Sequence, residues 1–153
     1  MKLHDPDKSL DIVLRDKLLA EAATAAEQAY APYSGFRVGA AVLCGRGAIF
    51  RGANIENASL GLGVCAERVA LASAYAAGER DIIAIAVACV DAPQDAPLEQ
   101  RMPCGACRQW ILELAPHAAI IIPGAERSFS IRELMPLAFS LDFGLPGRRD
   151  GQG

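Results

Sequence analysis

Cys104-Gly105-Ala106-Cys107 places two sulfurs at i and i+3 where a helix begins, a spacing from which both can reach one tetrahedral metal ion. Taken alone, the motif is as open to a thioredoxin-like redox pair or to two ordinary buried thiols. Cys65 changes the weighing, because it opens a second helical pattern and the residue two positions on is Glu67. Two converging helix N-termini would gather three thiolates and one carboxylate in partly positive surroundings. Three sulfur ligands, Cys65, Cys104 and Cys107, leave the fourth position of a tetrahedral Zn2+ site open, which marks a catalytic rather than a structural centre. A structural centre needs a fourth ligand, and the candidates are Cys44, Cys89, His4 and His117. Both cysteines fall inside or at the end of apolar strand patterns and read as core thiols; neither histidine has a paired spacing, and both read as solvent-exposed.

Three thiolates around Zn2+ leave a net negative charge, which by itself would make water in the open position less acidic than a neutral ligand set does. The helix N-termini withdraw part of that charge, and Arg68 is the natural cationic partner of the sulfurs, against the plainer reading of a surface arginine. Glu67 then has a task, taking a proton from water and delivering it to a ring nitrogen and a leaving amine. Without the sulfurs, a glutamate in a helix's first turn is only a dipole partner.

Elements that can hold these residues follow from periodicity. Ser9 can cap a helix in which Leu10, Val13, Leu14, Leu18, Ala22, Ala25 and Ala29 recur at helical spacing, ending before Pro32. Val38–Leu43 and Ala48–Arg51, separated by Gly45-Arg46-Gly47, read as a hairpin. The polar stretch from Asn54 to Gly63 reads as loop, and Cys65 to Ala77 as a helix stopped by Gly78. The continuous apolar run Ile82–Val90 predicts a central strand covered on both faces. Cys104 to Ala115 predicts a helix stopped by Pro116, Ala118 to Ile122 a fourth strand, and Arg127-Ser128-Phe129 a fifth, antiparallel strand after a reverse turn. Ser130 and Glu133 have capping-box spacing for a short helix. Residues 1–145 read as a single catalytic domain and 146–153, which have nothing to bury, as a disordered tail.

The whole chain is 153 residues, 52% hydrophobic and 22% charged, a globular composition long enough to bury roughly 70% of its unfolded surface in one core. Fifteen basic against eighteen acidic residues give a net charge of -3, the wrong sign for a phosphate-backbone binder, so no polymer nucleic acid is expected as partner. No apolar run reaches the ~18 residues of a membrane span and the polar start is unlike a signal peptide, so no membrane partner and a cytoplasmic location are expected. Five cysteines is an odd count for a disulfide framework and favours metal or catalysis.

Four ordered motifs resemble the small, all-cysteine cytidine deaminases over nearly the whole chain. They are Ala31-Pro32-Tyr33-Ser34-x-Phe36-x-Val38-Gly39-Ala40-Ala41, Asn54-Ile55-Glu56-Asn57-Ala58-Ser59, Cys65-Ala66-Glu67-Arg68 and Pro103-Cys104-Gly105-Ala106-Cys107-Arg108-Gln109. A ligand-x-Glu element followed by Pro-Cys-x-x-Cys is the signature of zinc nucleobase deaminases. The resemblance implies an α/β fold, three layers α/β/α around a five-stranded mixed sheet. It implies one Zn2+ per chain on Cys65, Cys104 and Cys107, with Glu67 as proton shuttle, and hydrolytic deamination of cytidine or 2'-deoxycytidine in pyrimidine salvage. By the same matching Phe36 packs on the base, Asn54 and Glu56 bind the sugar hydroxyls, and Ala66 joins the substrate pocket. Asn-x-Glu-Asn would also make a hydrogen-bonded turn without any sugar. The family is usually homotetrameric, and the resemblance implies that Phe139 reaches a neighbouring subunit's site.

Two positions depart from the family pattern. Leu60 stands where an aromatic residue is usual, followed by Gly61-Leu62-Gly63, and Ser140-Leu141 replaces Gly-Pro after Phe139. Both fall where subunits would meet around the sugar side. The alternative substrate class is therefore a modified cytosine nucleoside or a blasticidin-S-like compound, with Asn54 and Glu56 favouring a true nucleoside. Alternatives of other classes are a zinc-stabilised binding module closed by a fourth protein ligand, a thiol oxidoreductase using Cys104 and Cys107, and a nucleic-acid editing enzyme.

Overall fold

The computed structural model describes residues 12–141. Its elements are α1 (Ile12–Ala26), β1 (Val38–Cys44), β2 (Ile49–Ala53), a 3-10 turn at Leu60–Leu62, α2 (Ala66–Ala76), β3 (Ile82–Cys89), a 3-10 turn at Leu98–Arg101, α3 (Gly105–Leu114), β4 (Ala119–Ile121) and α4 (Ile131–Leu134). The strands form one sheet in the order β2-β1-β3-β4, with β1 antiparallel to both neighbours and β3 parallel to β4.

Strand alternation divides the core in two. Ala41, Leu43, Ala84, Ala86 and Ile121 face α1 through Leu18 and Ala22, while Ala40, Val42, Ile85, Val87 and Ile120 face α2 and α3 through Ala70, Leu71 and Ile111. The sheet is thus covered on both faces, giving the expected three layers. Helices sit directly on the sheet backbone at two glycines. A Cβ at Gly39 would lie 1.9 Å from the Ala22 carbonyl oxygen, and one at Gly52 would lie 2.4 Å from both the Ala66 carbonyl oxygen and the Ala70 nitrogen.

The predicted fifth strand is a correction: the described sheet has four strands. Arg127–Phe129 makes a single antiparallel bridge, Phe129 to Ile120, with paired backbone bonds of 2.8 and 2.9 Å. Its direction is as expected, but Ser130 at once caps α4 through its bond from the Glu133 amide, so no residues remain to lengthen the ladder. The capping box itself is present. In the first helix the stripe that meets the sheet starts at Leu14; Val13 is exposed, and Ala29 lies beyond the helix end at Ala26. Ser9, Leu10 and the 146–153 tail lie outside the described residues.

Because β1 runs against both β2 and β3, its beginning lies beside their ends, with Gly39 opposite Ala53 and Val38 opposite Cys89. From that edge the chain leaves β2 toward α2 and β3 toward α3. The loop before β1, the loop after β2 and the N-termini of two helices therefore converge at one end of the sheet, where open α/β sheets place their ligands.

Candidate active site

Cys65 and Cys104 are the residues that precede the first turns of α2 and α3, and neither side chain caps its helix by a hydrogen bond. Both sulfurs are left to point into the space between the two helix starts. The Cys65 and Cys104 Sγ atoms are 3.7 Å apart, and with buried Cys107 from the first turn of α3 the three sulfurs all lie within 4.8 Å of one another. A tetrahedral ion with Zn–S bonds of about 2.3 Å holds its sulfurs about 3.8 Å apart, so both the donor chemistry and the spacing fit zinc.

Among the described residues no fourth cysteine, histidine or carboxylate joins this group. Cys44 is fully buried at the opposite end of β1, and His117 is exposed beyond the end of α3. Cys89 departs from the core-thiol expectation, since it is half-buried where β3 emerges at the site edge. Burial, reinforced by nearby Glu67, pushes its thiol up to about 11, and its sulfur is not among the three that lie within 4.8 Å of one another. His4 lies outside the described residues.

Glu67 is 4% exposed and occupies the first turn of α2. Burial raises its carboxyl above the ordinary range, the nearby Cys65 adds to the rise, and a hydrogen bond with Cys107 partly opposes it. A raised carboxyl holds its proton more readily than an exposed one, which suits a group that must carry a proton and give it up. The Cys65 thiol is held down to about 5, chiefly by a hydrogen bond from Cys107 and then by Arg68. Cys107 is pushed in the opposite direction by donating that bond and by burial. The Arg68 guanidinium lies 3.8 Å from the Cys65 sulfur and 3.4 Å from the Gly63 carbonyl oxygen. Ala66 is fully buried between Cys65 and Glu67.

The second wall is built from loops. Ile55 pairs with Val64 through two 2.9 Å backbone bonds, which tethers the Asn54–Glu56 segment one residue from Cys65. Asn54 accepts from the Val38 amide at 2.8 Å and donates to the Phe36 carbonyl at 2.9 Å. The Glu56 carboxylate accepts from the Tyr33 amide at 2.9 Å, from the Ser34 amide at 3.3 Å and from the Ser34 hydroxyl, and the hydroxyl bond leads in holding it below the usual carboxylate range. Rather than making the local hydrogen-bonded turn foreseen for Asn-x-Glu-Asn, the Asn54 and Glu56 side chains reach across to residues 33–38 and grip the loop that carries half-buried Phe36. Leu60 opens the 3-10 turn beyond it and is 77% exposed.

Phe139 is 66% exposed on the outer side of α3, where its carbonyl accepts a 2.9 Å bond from Gln109. No described contact joins its ring to the sulfurs. Sequence reasoning gave no task to Arg108, which donates to the Pro103 carbonyl at 2.8 Å and the Leu134 carbonyl at 3.0 Å and so ties the Cys104 loop to α4. It also passed over Arg37, which clamps Asp91 beside the loop mouth at 2.7 and 2.9 Å. Its spacing carries no signal for a partner 54 residues away.

Residues 14–122 match the model of a protein family described as the cytidine and deoxycytidylate deaminase zinc-binding region. The chain is 47% identical over 132 residues to a cytidine deaminase of Halalkalibacterium halodurans, covering 84% of this chain and 96% of that one. It is 39% identical over 125 residues to a cytidine deaminase of Mycobacterium tuberculosis, covering 82% and 89% respectively. Among solved structures, a cytidine deaminase from Burkholderia pseudomallei superposes with a TM-score of 0.72 at 45% identity, over 81% of this chain and 98% of the other. The Mycobacterium tuberculosis enzyme superposes with 0.69 at 35% identity, over 82% and 97%.

Proposed function

This chain belongs to the family of cytidine and deoxycytidylate deaminases, and from that premise we propose how its own residues divide the work. The reaction is hydrolytic: water adds to C4 of the cytosine ring, the bond from C4 to the exocyclic nitrogen breaks, and the uracil nucleoside and ammonia leave. Cys65, Cys104 and Cys107 would hold zinc, which when bound would supply Lewis-acid polarisation. Glu67 takes the proton of the attacking water, delivers it to the ring nitrogen beside C4, and later hands a proton to the departing amine. Its raised pKa, set first by burial, suits it to both directions of transfer. Arg68 offsets the negative charge of the sulfurs.

Phe36 packs on the base. Asn54 and Glu56 receive the sugar, and their bonds to the 33–38 loop leave a spare amide hydrogen and a spare carboxylate lone pair for a hydroxyl. A site built to hydrogen-bond a hydroxyl rejects analogues that lack it, which favours nucleosides over free cytosine.

The catalytic unit in this reading is residues 1–145, cytoplasmic, and assembled as a homotetramer in which Phe139 completes a neighbour's site. The exposed apolar side chains Leu60, Leu62, Leu137 and Phe139 support that assembly. No helix among the described residues is long and apolar enough to cross a membrane.

The observation that carries the reading is the meeting of three sulfurs within 4.8 Å beside a buried glutamate. Zinc-loaded protein is expected to release ammonia from cytidine and 2'-deoxycytidine but not from cytosine. Zinc-replete protein inert on both nucleosides overturns the reading, and sedimentation as a monomer overturns the assembly.

A further inference from the structure

The Ser34 hydroxyl lies between two groups given tasks above and has none of its own. It donates to Glu56 Oε1 and accepts from the Phe36 amide at 3.0 Å. The Phe36 carbonyl, on the other side of the same residue, accepts from Asn54 at 2.9 Å. Both backbone polar groups of Phe36 are therefore held from the Asn54–Glu56 segment, the carbonyl directly and the amide through Ser34. That segment is itself anchored, with the Glu56 amide donating to the Tyr30 carbonyl at 2.8 Å and the Tyr30 amide to the Asn54 carbonyl at 3.0 Å. Gly35, at φ +66, makes the tight turn by which the Ser34 oxygen reaches back to the Phe36 amide.

The geometry fixes more than the loop. An ionised carboxylate offers about four acceptor positions, and donors from Tyr33 and Ser34 fill three of them on Glu56. The Ser34 hydroxyl is the only one of these donors that holds Oε1, so it decides which way the remaining lone pair points. Without it the carboxylate keeps its Oε2 bonds but is free to turn about them, and the Phe36 amide loses its partner.

We infer that Ser34 is a positioning residue, through which one hydroxyl sets both the carboxylate that receives the sugar and the backbone of the aromatic residue that packs on the base. The inference rests on the assignment of Glu56 to the sugar and Phe36 to the base. Ser34 touches neither the sulfurs nor Glu67 in any described bond, so its effect falls on binding and not on proton transfer.

The test uses the full zinc-loaded chain with cytidine as substrate, comparing wild type, Ser34→Ala and Ser34→Thr, and repeating Ser34→Ala in a Glu56→Ala background. Ser34→Ala is expected to raise KM about tenfold, the scale of one lost hydrogen bond to a charged group, with kcat within about twofold and zinc content unchanged. Ser34→Thr keeps the hydroxyl and is expected to restore KM. In the Glu56→Ala background the cost of Ser34→Ala is expected to shrink to less than threefold, because the bond it removes is already gone. Wild-type KM in Ser34→Ala overturns the inference, as does an undiminished cost without Glu56, or a loss of kcat and melting temperature that Ser34→Thr does not rescue. A wild-type protein inert on cytosine nucleosides overturns the functional reading and this inference together, whereas active wild type with an unaffected Ser34→Ala overturns this inference alone.

Discussion

Around the sulfur cluster, position is set by where two helices begin: Cys65 and Cys104 precede first turns, and Glu67 and Cys107 lie within those turns. Around the proposed sugar side, position is set by side chains that reach across the chain, Asn54 to a carbonyl 18 residues away and Glu56 to an amide 23 residues away. The first wall is regular and anchored by core packing, with Glu67 and Cys107 buried, Cys65 half-buried and Cys104 exposed at its rim. The second is half-exposed and held by hydrogen bonds to loop backbone, each worth about 1 kcal/mol net in a partly hydrated setting. A rigid wall suits the atoms that must meet at reacting distance, and an adjustable one suits recognition of the part of the substrate that does not react.

The sharpest way to break this division is Glu67→Gln, which keeps the shape of the side chain and removes its proton exchange. Zinc content is expected to match wild type while kcat falls by roughly a hundredfold to ten-thousandfold, the usual worth of a positioned general acid and base. Near-normal turnover would take Glu67 out of the chemistry, and loss of zinc would mean that it builds the metal wall instead of acting beside it.

Gly52→Ala attacks the same wall from beneath. The added methyl would lie 2.4 Å from the Ala66 carbonyl oxygen and the Ala70 nitrogen, so the first turn of α2, with Glu67 and the adjoining Cys65, must lift off the sheet. Overpacking against backbone is expected to cost about 3 kcal/mol in a urea unfolding titration. Competition with a chelator should show zinc held at least tenfold more weakly, since the ligand's support has moved. Wild-type stability would show that the helix separates from the sheet at this point without cost.

How much of each wall was legible in the sequence follows from the range of its interactions. Cys65-x-Glu67 and Cys104-x-x-Cys107 act within one helical turn, so spacing placed each on a helix start, and the Ser130–Glu133 capping box was readable for the same local reason; that the two starts converge was a supposition that only the sheet topology bears out. The hairpin and the apolar run of β3 carried the sheet, and strand alternation carried the three layers. Ser34 stood inside a quoted motif yet gained no task, because its acceptor lies 22 residues away and nothing in its neighbours announces it. Cys89 read as core because it closes an apolar run, but a strand end that opens onto a site is only half covered. The fifth strand failed because a capped helix starts at once, a competition between two local signals that pattern alone does not rank.

Asn54→Ala tests whether the loop wall is independent of the sulfur wall. It strips the Val38 amide and the Phe36 carbonyl of their side-chain partners. About 1–2 kcal/mol of stability is expected to go, together with a raised KM, while zinc affinity stays unchanged. Zinc loss in this variant would join the two walls into one cooperative unit.

The smallest effect is expected at the Arg37–Asp91 pair, which lies at the same mouth but faces solvent. The hydrogen bond from the Arg37 side chain leads in holding the Asp91 carboxyl at about 2, below its ordinary 3.8. A carboxyl with a depressed folded pKa contributes stability that is fully present above its unfolded pKa and is lost as pH falls through the folded one. The contribution of this pair is therefore constant from neutrality down to about pH 4 and disappears between there and about pH 2. Glu56 and Glu133 are also held below the ordinary carboxylate range, so acid unfolding of the wild type alone would mix several groups. The difference between wild type and Asp91→Asn isolates the pair: their urea midpoints are expected to differ slightly at pH 7, by the same amount at pH 5, and to converge as pH is lowered from 4 toward 2. A difference that grows with acidity would mean that Asp91 is not the proton acceptor of this pair. A difference as large as that of Asn54→Ala would mean that the outer rim of the mouth is held as firmly as its interior.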